Sequence, residues 1–142
     1  MIYIAGITSD RIDDVWDRCS KFIEMGINHS QCELSTMDYY DRLVAQEMQL
    51  WVVYDEEKQI KCALTTEVIE YPRKKVCRIV SLGGRNLDEW VERWLDILER
   101  WAEENDCDSI ETYCRKGFIK KLEKFGYTNT YTVLGKELTT VH

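Results

Sequence analysis

The sequence predicts a mixed α/β sandwich, in which a central mixed sheet is flanked by helices. Short apolar segments alternate with amphipathic segments in the predicted order β-α-α-β-β-β-α-β-α-β. Three consecutive strands favour an antiparallel meander, whereas a strand that follows a helical crossover is expected to pair in parallel with its neighbour. The chain has 142 residues, about the size of one typical domain. We therefore expect a single domain over residues 1–142.

The first half of the chain opens with a strand and two helices. Ile2–Ile7 is short and almost entirely apolar, which predicts a buried strand. From about Asp10, apolar residues recur three and four positions apart, and Gly26 is placed to end that helix. The second helix is predicted to begin at Ser35, because Asp38 completes a capping box with it.

The rest of the chain is predicted from alternation and from one long stripe. Residues 50–54, 60–68 and 75–82 have the pattern of three successive strands. From Asn86, which is predicted to cap the helix with an acid at Glu89, an apolar stripe runs through four turns of helix and includes Trp90, Trp94 and Trp101. A strand at Ser109–Cys114, a helix ending at Gly126 and a last strand from Thr128 to Leu134 complete the order.

Composition narrows the classes of function. The net charge of −7 argues against binding to nucleic acid or to an anionic membrane surface. No apolar run approaches the roughly 18 residues of a membrane span, and the first ten residues lack the basic region of a signal peptide. The six cysteines contain no C-x-x-C pair, which predicts reduced, mostly buried thiols and no metal site. Cys62 and Cys77, on adjacent strands, are predicted to be the most protected. We expect a cytoplasmic protein.

Three motifs lie in the C-terminal part of the chain: Trp101–Cys107 (WAEENDC) at the end of the third helix, Arg115–Phe118 (RKGF) and Leu122–Tyr127 (LEKFGY). Together with the element order, they resemble the GNAT superfamily of acyl-CoA N-acyltransferases. At these places the family carries W-A-x-x-x-G-C, N-x-x-A and Y-x-K-x-G-F. Short GNAT-like proteins of tailed bacteriophages are similar in size and in this pattern, which would place the protein in a host cell or a virion.

This resemblance implies a site for acetyl-CoA and an amine substrate. In the family, the pyrophosphate lies on backbone N–H groups at the start of the third helix. The residues placed there in this sequence are Leu82, Gly83, Gly84, Arg85 and Asn86. The family's glycine positions themselves are occupied by Glu89 and Val91, and the carboxylates of Asp88 and Glu89 would repel a pyrophosphate.

The resemblance leaves the catalytic residues unknown. The family's tyrosine, which protonates the leaving thiolate, is replaced by Leu122. Tyr113 and Tyr131 are nearby in sequence and are the candidates to replace it, although packing in a strand is the alternative for both.

The charged residues of the meander favour a surface role. The fourth strand contains no carboxylate that could act as a base, and Glu67 and Glu70 are predicted to lie at a solvated edge. A basic patch around Pro72 is predicted to form a charged hairpin turn, and it consists of Arg73, Lys74, Lys75 and Arg78.

Two hypotheses about function remain at this point. The first is an acyl-CoA N-acyltransferase with an altered phosphate loop, which relies on positioning and solvent because the usual acid is missing. The second is a GNAT-like protein that has lost catalysis and serves in binding or structure, for example in a bacteriophage. The sequence favours an acyltransferase-like fold and leaves its activity in doubt.

Overall fold

The structure, a computed structural model, describes residues 1–27, 34–84, 86–114 and 116–138. Its strands are β1 (Tyr3–Ile7), β2 (Gln49–Tyr54), β3 (Ile60–Tyr71), β4 (Lys74–Gly84) and β5 (Ser109–Thr112). Its α-helices are α1 (Ile12–Ile27), α2 (Thr36–Val44), α3 (Leu87–Glu104) and α4 (Lys116–Glu123). Within these residues, no helix is long and apolar enough to cross a membrane.

One five-stranded sheet organises the chain, in the order β1-β2-β3-β4-β5. The first three ladders are antiparallel, and β5 joins β4 in parallel after the crossover through α3. The prediction of a mixed sheet flanked by helices is therefore confirmed. Local hairpins build the meander, and the crossover helix permits the one parallel step.

Each face of the sheet is covered by its own helices. Two hydrophobic clusters define these layers, one containing residues of α1 and α2 and the other residues of α3 and α4. We call the two sides of the sheet the α1/α2 face and the α3/α4 face. Because side chains alternate along a strand, each central strand contributes to both clusters.

The tryptophan stripe of α3 packs as its spacing predicts. Trp94 is completely buried and Trp90 is 2% exposed. Trp101, one to two turns further on, makes an edge-to-face contact with Trp51 of β2, with the ring centroids 5.7 Å apart. The predicted burial of Cys62 and Cys77 is also confirmed, since both are fully buried.

The predicted helix ends are confirmed at α2 and corrected at α1 and α3. The Ser35 side chain accepts from the Asp38 backbone N–H, and Asp38 accepts from the Ser35 N–H, forming the capping box. In α1, Gly26 lies inside the helix, which ends at Ile27. Asn86 precedes α3 with a left-handed backbone (φ 57°) and makes no side-chain cap.

The predicted last strand is wrong. Residues 128–138 have no regular secondary structure, and Tyr131 and Leu134 are 90% and 91% exposed. The alternation of threonine and apolar residues has the β-propensity of a strand. A strand also needs a neighbouring strand to pair with, and none of the described strands pairs with this segment.

Strands β4 and β5 pair over only part of their length. Their ladder ends at Ile79 opposite Thr112, while β4 continues to Gly84. The β3–β4 ladder shifts register between Thr65 and Thr66, which leaves Val80 as an extra residue on β4. Such a bulge bends a strand, and beyond it the described part of β4 is paired only with β3.

Candidate functional site

A cavity of about 1290 Å³ lies at the place where β4 and β5 separate. Its lining comes from several elements around this gap. One end, the α2 end, is formed by Tyr39 and Arg42 of α2, Glu67 of β3 and Arg78 of β4. The other end, the α4 end, is formed by Leu87, Val91 and Trp94 of α3 and by Phe118, Lys121 and Leu122 of α4.

The cavity reaches both faces of the sheet. Its α2 end is lined from the α1/α2 face and its α4 end from the α3/α4 face, with residues 79–82 of β4 and 112–114 between them. A continuous sheet would separate these two ends. The missing ladder beyond Ile79 and Thr112 therefore allows one elongated ligand to pass between the two layers.

The charge of the cavity differs from that of the whole chain. The lining contains four cations, Arg42, Arg78, Lys121 and Lys136, against two carboxylates, Glu67 and Glu137, although the chain carries a net charge of −7. A cationic recess raises the local concentration of anionic ligands. The cavity thus has the electrostatic character expected of a site for an anionic molecule.

Arg78 lies at the centre of a polar network on the α1/α2 face. Its Nε and Nη2 donate to Glu111 Oε1 at 2.9 and 2.7 Å. Nη2 also donates to the hydroxyls of Tyr71 and Tyr113 at 3.1 and 3.2 Å. Its burial lowers the pKa, but the hydrogen bond to Glu111 and the surrounding charges raise the pKa of Arg78 above its ordinary value. Arg78 is therefore a fixed, permanently charged group.

Glu67 lies between two arginines at the α2 end. Its Oε1 accepts from Arg78 Nη1 at 3.5 Å, and its Oε2 lies 3.8 Å from Arg42 Nη1. The Glu67 side chain is 18% exposed. The expectation that Glu67 lies at a solvated edge and Arg78 in a surface patch is wrong, because the α2 helix and the tyrosines cover this part of the meander.

The glycines expected to cradle a phosphate are required by packing. A Cβ on Gly83 would lie 1.9 Å from the Phe22 carbonyl oxygen of α1, and one on Gly84 would lie 2.2 Å from Cys62 Sγ. Gly84 also has a φ of +147°, which other residues rarely adopt. Leu82 lines the cavity. Arg85 lies outside the described residues.

The start of α3 faces the cavity with an apolar residue. Leu87 lines the wall, whereas Asp88 and Glu89 are not among the lining residues. Asp88 Oδ1 lies 3.6 Å from Lys121 Nζ of α4. The positive charge of Lys121, which lines the cavity, therefore lies close to the negative charge of Asp88. This contact weakens the repulsion that the sequence suggested for an anion bound here.

The tyrosine candidates are placed differently. Tyr113 lines the cavity and stacks on the Arg78 guanidinium, whose Cζ lies 4.7 Å from the ring centroid. Tyr131 lies in the exposed segment 128–138 and is not among the lining residues. Leu122 is buried in the core and also lines the cavity, so this position offers an apolar wall and no proton.

Cys114 adds a thiol to the lining just beyond β5. Partial burial raises the pKa of this thiol above its ordinary value, which keeps it protonated at neutral pH. Its position follows from the short β5, since the chain leaves the sheet two residues earlier. Within the described residues, no group of histidine, cysteine and carboxylate side chains could hold a metal ion.

Sequence reasoning missed Arg42, Glu67 and Arg78 as site residues. A signal for one pair was present, because a two-residue turn at Pro72–Arg73 sets Glu67 opposite Arg78 in the β3–β4 ladder. No comparable signal existed for Arg42. Its approach to Glu67 depends on how α2 packs on the sheet, and periodicity within α2 does not contain that information.

Several solved structures with a similar fold are described as acetyltransferases. A predicted acetyltransferase from Clostridium acetobutylicum, solved with acetyl-CoA, has a TM-score of 0.70 and 15% identity and covers 96% of each chain. A putative acetyl transferase from Pyrococcus furiosus has a TM-score of 0.70 and 14% identity, covering 97% of this chain and 100% of its own. Glucosamine-6-phosphate N-acetyltransferase from Arabidopsis thaliana has a TM-score of 0.66 and 14% identity, covering 98% and 99%.

These similarities define the class of fold. No protein-family profile and no curated protein sequence matches the chain. At the observed identities the structures show the fold alone, and that fold is the one of the GNAT acetyltransferases, as the C-terminal motifs indicated.

Proposed function

We propose that the protein is an acyl-CoA-dependent N-acyltransferase that binds acetyl-CoA or a related thioester in this cavity. The observation that carries the proposal is the gap between β4 and β5. This gap opens a passage in which cations outnumber carboxylates among the lining residues. The cavity also exceeds the roughly 300–1,000 Å³ of common small-molecule sites, as a long ligand requires. In this proposal residues 1–142 act as one catalytic domain.

The α4 end is the entry for the thioester. Lys121 and Lys136 supply positive charge for the phosphates, and Leu82, Leu87 and Phe118 supply apolar wall for the arm. The backbone of residues 80–84 on β4 is paired with β3 and lacks a β5 partner in the described structure, so those N–H and C=O groups that point away from β3 are available to a ligand. Gly83 and Gly84 at the end of β4, and Asn86 before α3, adjoin this entry.

The α2 end receives the amine. When bound, the thioester supplies an activated acyl group. Glu67 accepts a proton from the ammonium form of the amine, which frees the nitrogen lone pair to bond to the acyl carbon. The acyl carbon–sulfur bond would then break, and the leaving sulfur would take a proton from solvent or from the hydroxyl of Tyr113, while the second amine proton would be released in exchange. Arg78 fixes both Glu67 and Tyr113 through the contacts described above.

Binding of the thioester is tested by thermal melting with acetyl-CoA. A ligand at 100 times its Kd stabilises a fold by about 2.7 kcal/mol, which raises the melting temperature by several degrees at this size. Desulfo-coenzyme A is the control for recognition of the phosphates and the arm without the thioester. An unchanged melting temperature with both compounds would overturn the proposed function.

Catalysis is tested with Glu67→Gln, which keeps the shape of the side chain and removes the base. Loss of a general base costs roughly 100-fold or more in kcat, and the stabilisation by acetyl-CoA should persist. Glu70→Gln is the matched control, because Glu70 lies on the same strand with its side chain 77% exposed. Equal activities for the two variants would remove Glu67 from the mechanism. Tyr113→Phe tests in the same way whether the Tyr113 hydroxyl supplies the proton to the leaving sulfur.

A further inference from the structure

The α2 end of the cavity presents a cation and an anion, Arg42 and Glu67, that are only loosely paired with each other. Arg42 Nη1 lies 3.8 Å from Glu67 Oε2, a separation at which no hydrogen bond forms. The two side chains are 42% and 18% exposed and both line the cavity. Each group therefore has hydrogen-bonding capacity that a ligand at this end can use.

The second arginine at this end is already engaged. Arg78 is held by both of its donations to Glu111 and by the hydroxyls of Tyr71 and Tyr113. Its charge is balanced by Glu111, and its remaining contact is the long one to Glu67. The charged groups left at this end to recognise a substrate are thus the guanidinium of Arg42 and the carboxylate of Glu67.

We propose that the acceptor is a small amine that also carries a carboxylate, such as an amino acid. This inference rests on the proposed function and names its substrate class. Arg42 would bind the carboxylate through paired N–H donors, the geometry in which a guanidinium is most selective. Glu67 would bind the ammonium group and then accept its proton.

The same charges disfavour other classes of amine. A polycationic amine would place a further positive charge close to Arg42, which would repel it. Glu111 does not offset that charge, because its carboxylate is already paired with Arg78. An amine without an anionic group would leave the Arg42 guanidinium partly desolvated and unpaired, which carries a penalty on binding. An amine with its own carboxylate pairs both protein groups at once.

The substrate test compares matched acceptors with acetyl-CoA. One reaction contains an equimolar mixture of the standard amino acids, a second contains the corresponding amino acid amides, and a third contains spermidine. Mass spectrometry identifies the acetylated products. We expect acetylated amino acids in at least roughly tenfold excess over acetylated amides, because the amides lack the charged group that pairs with Arg42. Equal acetylation of the amides, or a preference for spermidine, would overturn the inference.

Variants of Arg42 test the residue itself. Arg42→Gln should raise KM for the preferred amino acid by roughly 10- to 100-fold, with a smaller change in kcat. Arg42→Lys should recover part of that loss, and acetylation of the amides should not respond to either change. Arg18→Gln is the matched control, because the Arg18 guanidinium donates to the Asp14 carbonyl of its own helix at 2.9 Å and Arg18 is not among the residues that line the cavity. Unchanged KM in Arg42→Gln would exclude this assignment.

Failure of the inference is distinguishable from failure of the proposed function. If acetyl-CoA raises the melting temperature and only spermidine or the amides are acetylated, the N-acyltransferase proposal stands and the carboxylate inference falls. If acetyl-CoA raises the melting temperature and no acceptor reacts, the inference also falls. If acetyl-CoA leaves the melting temperature unchanged, both proposals fail.

Discussion

At the scale of single residues, the Glu67–Arg78 pair shows how register creates a site. The two side chains are opposite each other because a two-residue turn fixes the pairing of β3 with β4. Antiparallel neighbours on one face lie close enough to interact. Their partial burial then follows from the elements packed around them. The charge of each residue is a property of the sequence, and its chemical setting is a property of the sheet.

Trp94 is the largest completely buried side chain and supports a prediction about stability. Within the described residues its indole Nε1 has no hydrogen-bond acceptor. Trp94→Ala should lower the free energy of unfolding by about 3–5 kcal/mol. Trp94→Phe should cost clearly less, since it retains most of the packing and removes a donor without a partner. Urea denaturation monitored by far-UV circular dichroism measures both, and equal costs would show that Nε1 has an acceptor.

The buried thiols support a prediction about pH. Burial raises the pKa of Cys19 from its ordinary value of 9.0 to about 11, and that of Cys77 to about 12. The folded state therefore holds protons that the unfolded state releases. Their contribution to stability is complete below pH ~9 and is lost as the pH rises through 11 and 12. A tenfold change in a proton-binding equilibrium corresponds to about 1.4 kcal/mol, so the loss should be large enough to measure.

The thiol contribution is separated from other alkaline effects by variants. Thermal melting from pH 8 to 11 should show a steady fall in the parent protein. Cys19→Ala with Cys77→Ala should begin from a lower melting temperature and fall less steeply with pH. Parallel curves would attribute the alkaline loss to other groups.

At the scale of elements, the close approach of α1 to β4 is set by one glycine. A Cβ at Gly83 would overlap the Phe22 carbonyl oxygen, and backbone atoms at that distance cannot yield without moving the helix. Gly83→Ala should therefore destabilise the fold by roughly 2–4 kcal/mol, at the severe end for a single substitution. Thermal melting measures this loss.

Gly117→Ala is the matched control for Gly83→Ala. Nothing lies within 4 Å of a Cβ at Gly117, which is in α4. Alanine there should leave the melting temperature unchanged or raise it slightly, because alanine favours a helix by about 1 kcal/mol over glycine. A mild effect at Gly83 would mean that α1 is not fixed against β4.

At the scale of the whole molecule, the segment 128–138 lies outside the sheet and beside the cavity. Truncation after Thr128 removes only exposed residues from the described part of the chain, so the far-UV spectrum and the melting temperature should change little. The same truncation removes Lys136 from the cavity lining, and acetyl-CoA should bind more weakly. A large loss of stability would instead show that this segment forms the strand its sequence predicts.

The sequence by itself determined the class of fold and every predicted element except the last strand. Apolar spacing located four helices and five strands, the Ser35–Asp38 pattern located a cap, and the tryptophan stripe identified the buried face of α3. These features depend on interactions between residues close in sequence. The C-terminal motifs then indicated the GNAT fold, which the structural similarities support.

Only the tertiary structure decided which of these residues form a site. The splay of β4 from β5 depends on a bulge and on where a four-residue strand stops, and the approach of Arg42 to Glu67 depends on helix packing. Propensity also did not decide whether residues 128–134 form a strand, because a strand forms only where another strand has a free edge to pair with. The separation of β4 from β5, the approach of Arg42 to Glu67 and the structure of residues 128–134 all depend on contacts between segments distant in sequence. The periodicity within one segment does not predict such contacts.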